Sequence, residues 1–182
     1  MTFVGLIRGI NIGGHKKVAM ADVRAMLARL GFKNVRSLLN SGNVVFSGAA
    51  RPAEAMERLL EGEMAKRFGL QADWFVRTAA EWADVVRRNP FPEAARRDPG
   101  RLVVICTKDA PAPKAVKTLQ ASITGPEIVR AHGRQVYVTF PAGQGTSDLT
   151  LPVIEKALGT RGTGRNWNTI VKLDAALKEL RS

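Results

Sequence analysis

The sequence is poor in the residues that form disulfides and metal sites. Among its 182 residues are one cysteine, Cys106, and two histidines, His15 and His132. A single cysteine excludes a disulfide framework and a zinc-type cysteine spacing within the chain, and its apolar neighbours in LVVICTK predict a buried thiol. The histidines stand in separate, isolated contexts, so we predict no metal site and no cofactor.

Long apolar runs and nucleophile motifs are also missing. No stretch approaches the roughly 18 apolar residues of a membrane span, and the apolar start has neither the basic leader nor the cleavage site of a secretion signal. We therefore expect a cytoplasmic protein with no membrane partner. The serines lack the Gly-x-Ser-x-Gly context of a nucleophile elbow. No paired carboxylates stand out, because the pattern assigns a solvated helix face to Glu54, Glu57, Glu61 and Glu63. The sequence leaves open whether the protein is an enzyme.

Positive charge is in excess. The chain carries 28 Lys and Arg residues against 16 Asp and Glu residues, which gives a net charge of +12. Such an excess is typical of proteins that bind polyanions. It divides evenly between the two halves of the chain and forms no basic tail. Charge alone therefore indicates only weak binding of nucleic acid without sequence preference.

The spacing of apolar residues predicts the same order of elements twice. In the first half it predicts a strand over 2–10, a helix over 20–31, a hairpin over 32–48, a helix over 52–69 and a strand over 72–78. A capping box formed by Thr78 and Glu81 opens a further helix. In the second half it predicts a strand over 101–108, a helix over 113–122, a hairpin over 126–140, a helix over 151–159, a strand over 160–165 and a last helix over 166–180.

We interpret this order as an α+β fold with an internal duplication. Each half is predicted to form a ferredoxin-like βαββαβ subdomain followed by an extra helix. The halves share element order without obvious identity, and Leu6 matches Val104 approximately. The proline-bounded segment 92–100 is the best linker, so the predicted domains are 1–92 and 93–182.

Polar residues at the predicted strand ends are the candidates for function. The stretch GINIGG over 9–14 is neither a P-loop nor a dinucleotide loop, yet its backbone N–H groups and the lysines that follow suit an anion. Asn166 is predicted to cap the last helix near Arg161 and Arg165, which makes a second candidate anion site. The predicted ligand-binding residues are Arg8, Asn11, Gly13, Gly14, Lys16, Lys17, Ser41, Asn43, Arg165 and Asn166.

Other interpretations of the same residues stay open. The glycines and the hairpin at 40–43 serve as sharp turns in one of them. In another, the polar groups hydrogen-bond one another or nearby backbone at a subdomain junction, a set made up of Arg8, Asn11, Asn43 and Asn166. A third places RNA on the open face of the first sheet, with Phe46 as a stacking platform. Trp167 either covers the second anion site or packs on its sheet.

Four separated motifs resemble a known family. They are IRGINIGG (7–14), SGNVVF (41–46), NPF (89–91) and RNWNT (165–169), in the order found in the domain-of-unknown-function 1697 family (DUF1697) of mainly bacterial proteins. With VAMADVRAMLARLGF (18–32), the resemblance covers nearly the whole chain. It implies an α+β fold of two related subdomains. It implies no activity, because the family is named for the lack of one.

The sequence supports three hypotheses for function. The best is a binding module for an anionic ligand, either nucleotide-like or nucleic acid. The alternatives are an enzyme that acts on a small phosphorylated or nucleotide substrate, and a protein–protein interaction module with structural polar motifs. Neither the oligomeric state nor the identity of a ligand follows from the sequence.

Overall fold

The chain forms two compact units. The computed structural model describes residues 1–10, 17–39 and 42–182. The first unit comprises residues 1–84 and 172–182, and the second unit comprises residues 85–171. The boundary predicted at residue 92 lies within the second unit.

The elements follow the predicted order. The first half contains β1 (Thr2–Arg8), α1 (Met20–Arg29), β2 (Lys33–Leu38), β3 (Asn43–Ser47), α2 (Ala53–Phe68) and β4 (Asp73–Thr78). The rest of the chain contains α3 (Ala79–Arg87), α4 (Pro92–Arg97), β5 (Leu102–Thr107), α5 (Pro113–Ser122), β6 (Ile128–His132), β7 (Gln135–Thr139), α6 (Leu151–Leu158), β8 (Gly162–Asn166) and α7 (Trp167–Arg181). No helix in the described ranges is both long and apolar enough to cross a membrane.

Each unit contains a four-stranded antiparallel sheet. The strand orders are β2-β3-β1-β4 in the first unit and β6-β7-β5-β8 in the second. Both are the order of a ferredoxin-like βαββαβ unit, with the first strand in the interior of the sheet. The predicted α+β duplication is therefore confirmed.

The strand pairing fixes how the two units correspond. Leu6 pairs with Asn43, the first residue of β3, and Cys106 pairs with Gln135, the first residue of β7. Leu6 is therefore equivalent to Cys106, and the predicted match of Leu6 with Val104 is wrong by two residues. Both strands are apolar throughout this region, so the residue pattern alone does not set the register.

The core of the first unit lies between one face of the sheet and helices α1 and α2. Buried strand residues on this face are Phe3, Ile7, Val44, Phe46, Trp74 and Val76, and the helices contribute Val23, Met26, Leu27, Met56, Leu60 and Met64. The second unit repeats the arrangement with a cluster that includes Val103, Ile105, Leu119, Val136, Val138 and Ile154. The Cys106 thiol is buried, as predicted.

The other face of each sheet is covered as well. β1 is buried at every residue from Phe3 to Ile7, and β5 is buried along its whole length. In the second unit the hydroxyl of Tyr137 donates a hydrogen bond of 2.7 Å to the carbonyl of Val85 in α3. The open face expected from the sequence is therefore absent from the described part of these strands.

The RNA-stacking interpretation is wrong for the same reason. Phe46 is fully buried, and its ring packs against those of Phe3 and Phe32 at centroid distances of 5.5 and 4.9 Å. A base cannot stack on a ring that lies inside the core, because stacking needs an exposed ring face.

The segment predicted as a linker is helical. Residues 92–97 form α4, and residues 99–101 form a short 3-10 turn. Pro92 occupies the first turn of α4, where its missing N–H has no consequence. The Glu93 carboxylate contacts Arg96 at 2.6 Å and Arg97 at 3.4 Å, which adds the ion pairs that support a short exposed helix.

Candidate functional site

Five of the ten predicted site residues lie in the described part of the chain. These are Arg8, Lys17, Asn43, Arg165 and Asn166. The other five, Asn11, Gly13, Gly14, Lys16 and Ser41, lie outside the described residues, as does the predicted loop residue His15.

Arg8 lies at the C-terminal end of β1 and is half-buried. The register places it directly opposite Asp73, the first residue of β4. An arginine that faces a carboxylate across two strands already has part of its charge compensated by the protein. Lys17, the first described residue after position 10, is exposed.

Asn43 has a local structural contact. Its side chain is fully buried, and its amide nitrogen donates a hydrogen bond of 3.1 Å to the carbonyl of Leu38 across the predicted hairpin. The neighbouring Gly42 has a φ of +75° and accepts a hydrogen bond of 2.8 Å from the Ile7 N–H. Together these contacts hold the start of β3 against the end of β1.

Arg165 lies on β8 and bonds to its own strand. One terminal nitrogen, Nη1, donates to the hydroxyl of Thr163 and to the carbonyl of Gly164, both at 2.8 Å. Burial lowers the pKa of Arg165, and interaction with Cys106 partly opposes that shift. The pairing makes Arg165 equivalent to Arg77 in the first unit, whose Nη1 also donates to the carbonyl of the preceding residue, at 2.9 Å.

Asn166 caps α7, as predicted. Its side-chain oxygen accepts hydrogen bonds from the N–H and the hydroxyl of Thr169, at 3.1 and 3.3 Å. Arg161 lies at the opposite end of β8 from Asn166. At about 3.3 Å per residue, the strand separates these two residues by roughly 16 Å. The second predicted anion site therefore does not bring Asn166 and Arg161 together. Trp167 is buried.

Three chain segments meet at the C-terminal end of β5. The Thr107 N–H donates to the carbonyl of Arg134 in the β6–β7 turn, and the Lys108 N–H donates to the carbonyl of Arg161, both at 2.9 Å. The next N–H, that of Asp109, donates to the hydroxyl of Thr160 at 3.1 Å. A strand end, a turn and a strand start thus bring basic residues to one end of the second sheet.

A shallow cleft lies at this strand end. It has a volume of about 510 Å³ and is lined by Lys108, Asp109, Glu155, Lys156, Gly159, Thr160 and Arg161. Three cations face two carboxylates. One of these carboxylates, that of Glu155, also accepts a hydrogen bond of 3.3 Å from the Gly162 N–H. We call this the β5 cleft.

The duplication relates the β5 cleft to the end of β1. Lys108 is equivalent to Arg8, and Arg161 is equivalent to Asp73. The two positions carry opposite charges in the first unit and like charges in the second. Facing like charges on neighbouring strands are unfavourable by themselves, so the two units differ in electrostatics at these equivalent positions.

Three glutamates close the edge of the first sheet, and two of them, Glu57 and Glu61, belong to no motif found in the sequence. The outward N–H groups of β4 at Trp74, Val76 and Thr78 are bonded by the carboxylates of Glu61, Glu57 and Glu81, at 2.9, 2.9 and 2.7 Å. The Glu81 N–H donates in turn to the Thr78 hydroxyl, which confirms the predicted capping box. A strand edge with its N–H groups bonded in this way resists pairing with another strand.

The solvated face predicted for the α2 glutamates is therefore wrong at Glu57. Glu57 is 3% exposed, and its carboxylate lies 3.9 Å from Nη1 of the buried Arg77. The sequence contains an indication that Glu57 is buried. Glu57 lies between the apolar residues Met56 and Leu60 on the buried face of the helix, and it precedes Glu61 by one helical turn. Within the described ranges no group of three or more His, Cys, Asp or Glu side chains is placed to hold a metal ion.

Fold and cleft together define a duplicated α+β protein with two antiparallel sheets and a cationic cleft at the end of one central strand. The sequence matches the family described as "Protein of unknown function (DUF1697)" over residues 1–137. The chain therefore belongs to the DUF1697 family.

A solved structure shares the fold. It is that of conserved bacterial protein SP0830 from Streptococcus pneumoniae, with a TM-score of 0.75 and 23% sequence identity over 97% of this chain and 98% of the other. At this identity the likeness concerns the fold alone. No curated protein matches the chain in sequence.

Proposed function

We propose that the protein is a binding module for a small anionic, phosphate-bearing ligand of the nucleotide type, and that the β5 cleft holds the phosphate. The observation that carries this proposal is the placement of Lys108 and Arg161 on hydrogen-bonded neighbouring backbone positions. A bound phosphate accepts charge-assisted hydrogen bonds from both side chains. The cleft volume of about 510 Å³ lies within the roughly 300–1,000 Å³ of small-molecule sites.

The residues predicted at the end of β1 belong to the same proposal. Arg8 stands at the position equivalent to Lys108, and Lys17 is exposed nearby in sequence. We propose that they contact phosphate with Asn11, Gly13, Gly14, Lys16 and Ser41, while Asn43, Arg165 and Asn166 shape the strand ends. Because Arg8 faces Asp73, we expect weaker anion binding there than in the β5 cleft. A cytoplasmic location remains part of the proposal.

The test is a titration of the full chain with ATP, AMP, inorganic phosphate and, as an uncharged control, adenosine. We expect ATP to bind and adenosine not to bind, because phosphate makes the contacts. The double variant Lys108→Gln/Arg161→Gln removes two charge-assisted hydrogen-bond donors, each worth about 1.5–3 kcal/mol. We expect it to weaken ATP binding by at least about tenfold.

A matched control separates the cleft from overall charge. Lys114 and Lys117 are exposed on α5 and outside the cleft, so Lys114→Gln/Lys117→Gln makes the same change in net charge. It is expected to leave ATP affinity within about twofold at physiological salt. Equal losses in the two double variants would contradict the proposal. Binding of single-stranded RNA that disappears with added salt would instead show that the net charge acts alone.

A further inference from the structure

The second unit contains a cavity whose charge is opposite to that of the protein. It has a volume of about 380 Å³ and is lined by Leu119, Ser122, Ile123, Thr124, Gly125, Pro126, Glu127, Ala142, Thr146, Ser147, Asp148, Leu149 and Val153. These residues include two carboxylates and no lysine, arginine or histidine. A cavity lining without basic side chains is unusual in a chain with 28 Lys and Arg residues.

Glu127 is the buried charge of this cavity. It is 8% exposed, and the Ser147 hydroxyl donates to its Oε1 at 2.5 Å. Among the described residues this is the carboxylate's single hydrogen bond, and none of them forms an ion pair with it. An ionised carboxylate offers about four acceptor sites, so the described protein donors satisfy only part of its acceptor capacity. Ser147 is held in turn by the Leu149 N–H, at 3.1 Å from its hydroxyl oxygen.

The other buried carboxylates of the described chain have cations beside them. Glu57 lies 3.9 Å from Arg77, and Asp174 lies 2.6 Å from Lys178. Glu127 is as buried as Asp174, at 8% exposure each, yet no basic side chain lines its cavity. A buried carboxylate is stabilised by a cation that shares its site. The cavity provides the space for one.

Gly125 makes room for the second oxygen of this carboxylate. A Cβ at position 125 would overlap Oε2 of Glu127, so a larger residue there would displace the carboxylate. The rest of the lining is partly apolar, with Leu119 and Leu149 buried and Val153 exposed at 45%. The site therefore combines one buried negative charge with carbon surface.

We propose that this cavity binds a small organic ammonium ion. The ammonium group donates to the Glu127 carboxylate, and the carbon body of the ligand lies against Leu119, Leu149 and Val153. The exposed Asp148 at the same cavity adds a second negative charge that attracts the cation. This site is separate in residues and in ligand charge from the β5 cleft.

The test uses three probes that share a carbon body and differ in charge: phenethylamine, phenethyl alcohol and phenylacetate. Each is titrated into the full chain, with binding followed by ligand-observed NMR. We expect the amine to bind at least about tenfold more tightly than the alcohol, and phenylacetate not to bind, because a buried carboxylate favours a cationic hydrogen-bond donor. Equal binding of amine and alcohol, or no binding of the amine at about 10 mM, would overturn the proposal.

Variants locate the binding. Glu127→Gln keeps the side-chain size and an oxygen for Ser147 but removes the charge, so the amine is expected to lose about tenfold in affinity while the alcohol is unchanged. Glu93→Gln, on an exposed residue of α4, makes the same charge change outside the cavity and should leave both unchanged. Val153→Trp obstructs the cavity from an exposed position and should weaken the amine even if Glu127→Gln does not fold. Amine binding that survives both cavity variants refutes the site.

The two proposals fail independently. Glu127→Gln is expected to leave ATP binding unchanged, and Lys108→Gln/Arg161→Gln is expected to leave phenethylamine binding unchanged. If the protein binds the amine and does not bind ATP, the proposal for this cavity stands and the proposed function is refuted.

Discussion

Replacing Glu57 by glutamine removes one negative charge from the interior of the first unit and preserves the size of the side chain. The carboxylate accepts the Val76 N–H at 2.9 Å and lies 3.9 Å from Nη1 of Arg77. Both members of this ion pair are nearly inaccessible to water, with Glu57 at 3% and Arg77 at 1% exposure. Glutamine keeps an oxygen for the N–H but leaves the arginine without that opposing charge.

The magnitude follows from these contacts. Removing one partner of a buried ion pair destabilises a protein by about 3–5 kcal/mol, and a hydrogen bond to a charged group contributes about 1.5–3 kcal/mol. Glutamine retains part of the hydrogen bond, so we expect the free energy of unfolding of the first unit to fall by about 2–4 kcal/mol. A loss of this size is a large fraction of the roughly 5–15 kcal/mol typical of a domain.

The assay combines urea unfolding with amide hydrogen exchange. Unfolding reports the change in stability, and exchange at Trp74, Val76 and Thr78 reports whether the edge of β4 opens. The control is Glu54→Gln on the same helix, where the carboxylate is 77% exposed and lies 3.8 Å from Arg58. Exposed ion pairs of this kind contribute at most about 1 kcal/mol. If the two variants lose equal stability and Val76 exchanges at the wild-type rate in both, the reasoning about this edge is refuted.

Two further predictions concern local backbone structure. Gly42→Ala should lower the melting temperature, with a loss of about 1–3 kcal/mol, because φ is +75° and a Cβ would lie 2.8 Å from the Ile7 carbonyl oxygen. Gly62→Ala lies inside α2, with nothing but the helix's own backbone within 4 Å of the new Cβ, and should raise the melting temperature through about 0.5–1 kcal/mol of added stability. Shifts of the two variants in the same direction would contradict this pair of predictions. Asn166→Ala should cost about 1 kcal/mol through the lost bonds to Thr169, and Asn166→Ser should restore most of it in the same melting experiment.

Much of the fold follows from local patterns in the sequence. The helix predicted over 113–122 has the same bounds in the structure, since Pro113 starts it and its apolar residues recur at helical spacing. The segment predicted as a linker over 92–100 is helical over 92–97, because prolines and charges are common to linkers and to short exposed helices. In the structure, Glu93 forms ion pairs with residues three and four positions further along, a spacing that supports a helix.

The sites depend on contacts between segments distant in sequence. Lys108 and Arg161 are 53 positions apart and become neighbours only through the pairing of β5 with β8. Glu127 and Ser147 meet in the same way, across the β6–β7 hairpin and the loop after it. Periodicity predicts which face of an element is apolar, but it does not predict which buried carboxylate will have a cation beside it.

The two units show which features the duplication retained and which it changed. Glu155 bonds the outward Gly162 N–H of β8 as Glu61 bonds that of Trp74 in β4. These contacts close sheet edges and serve folding in both units. The charges at the ends of the central strands differ instead. Structural contacts at equivalent positions are therefore retained in the two units, while the charges at the ends of β1 and β5 are not, and the proposed phosphate site in the β5 cleft rests on this difference.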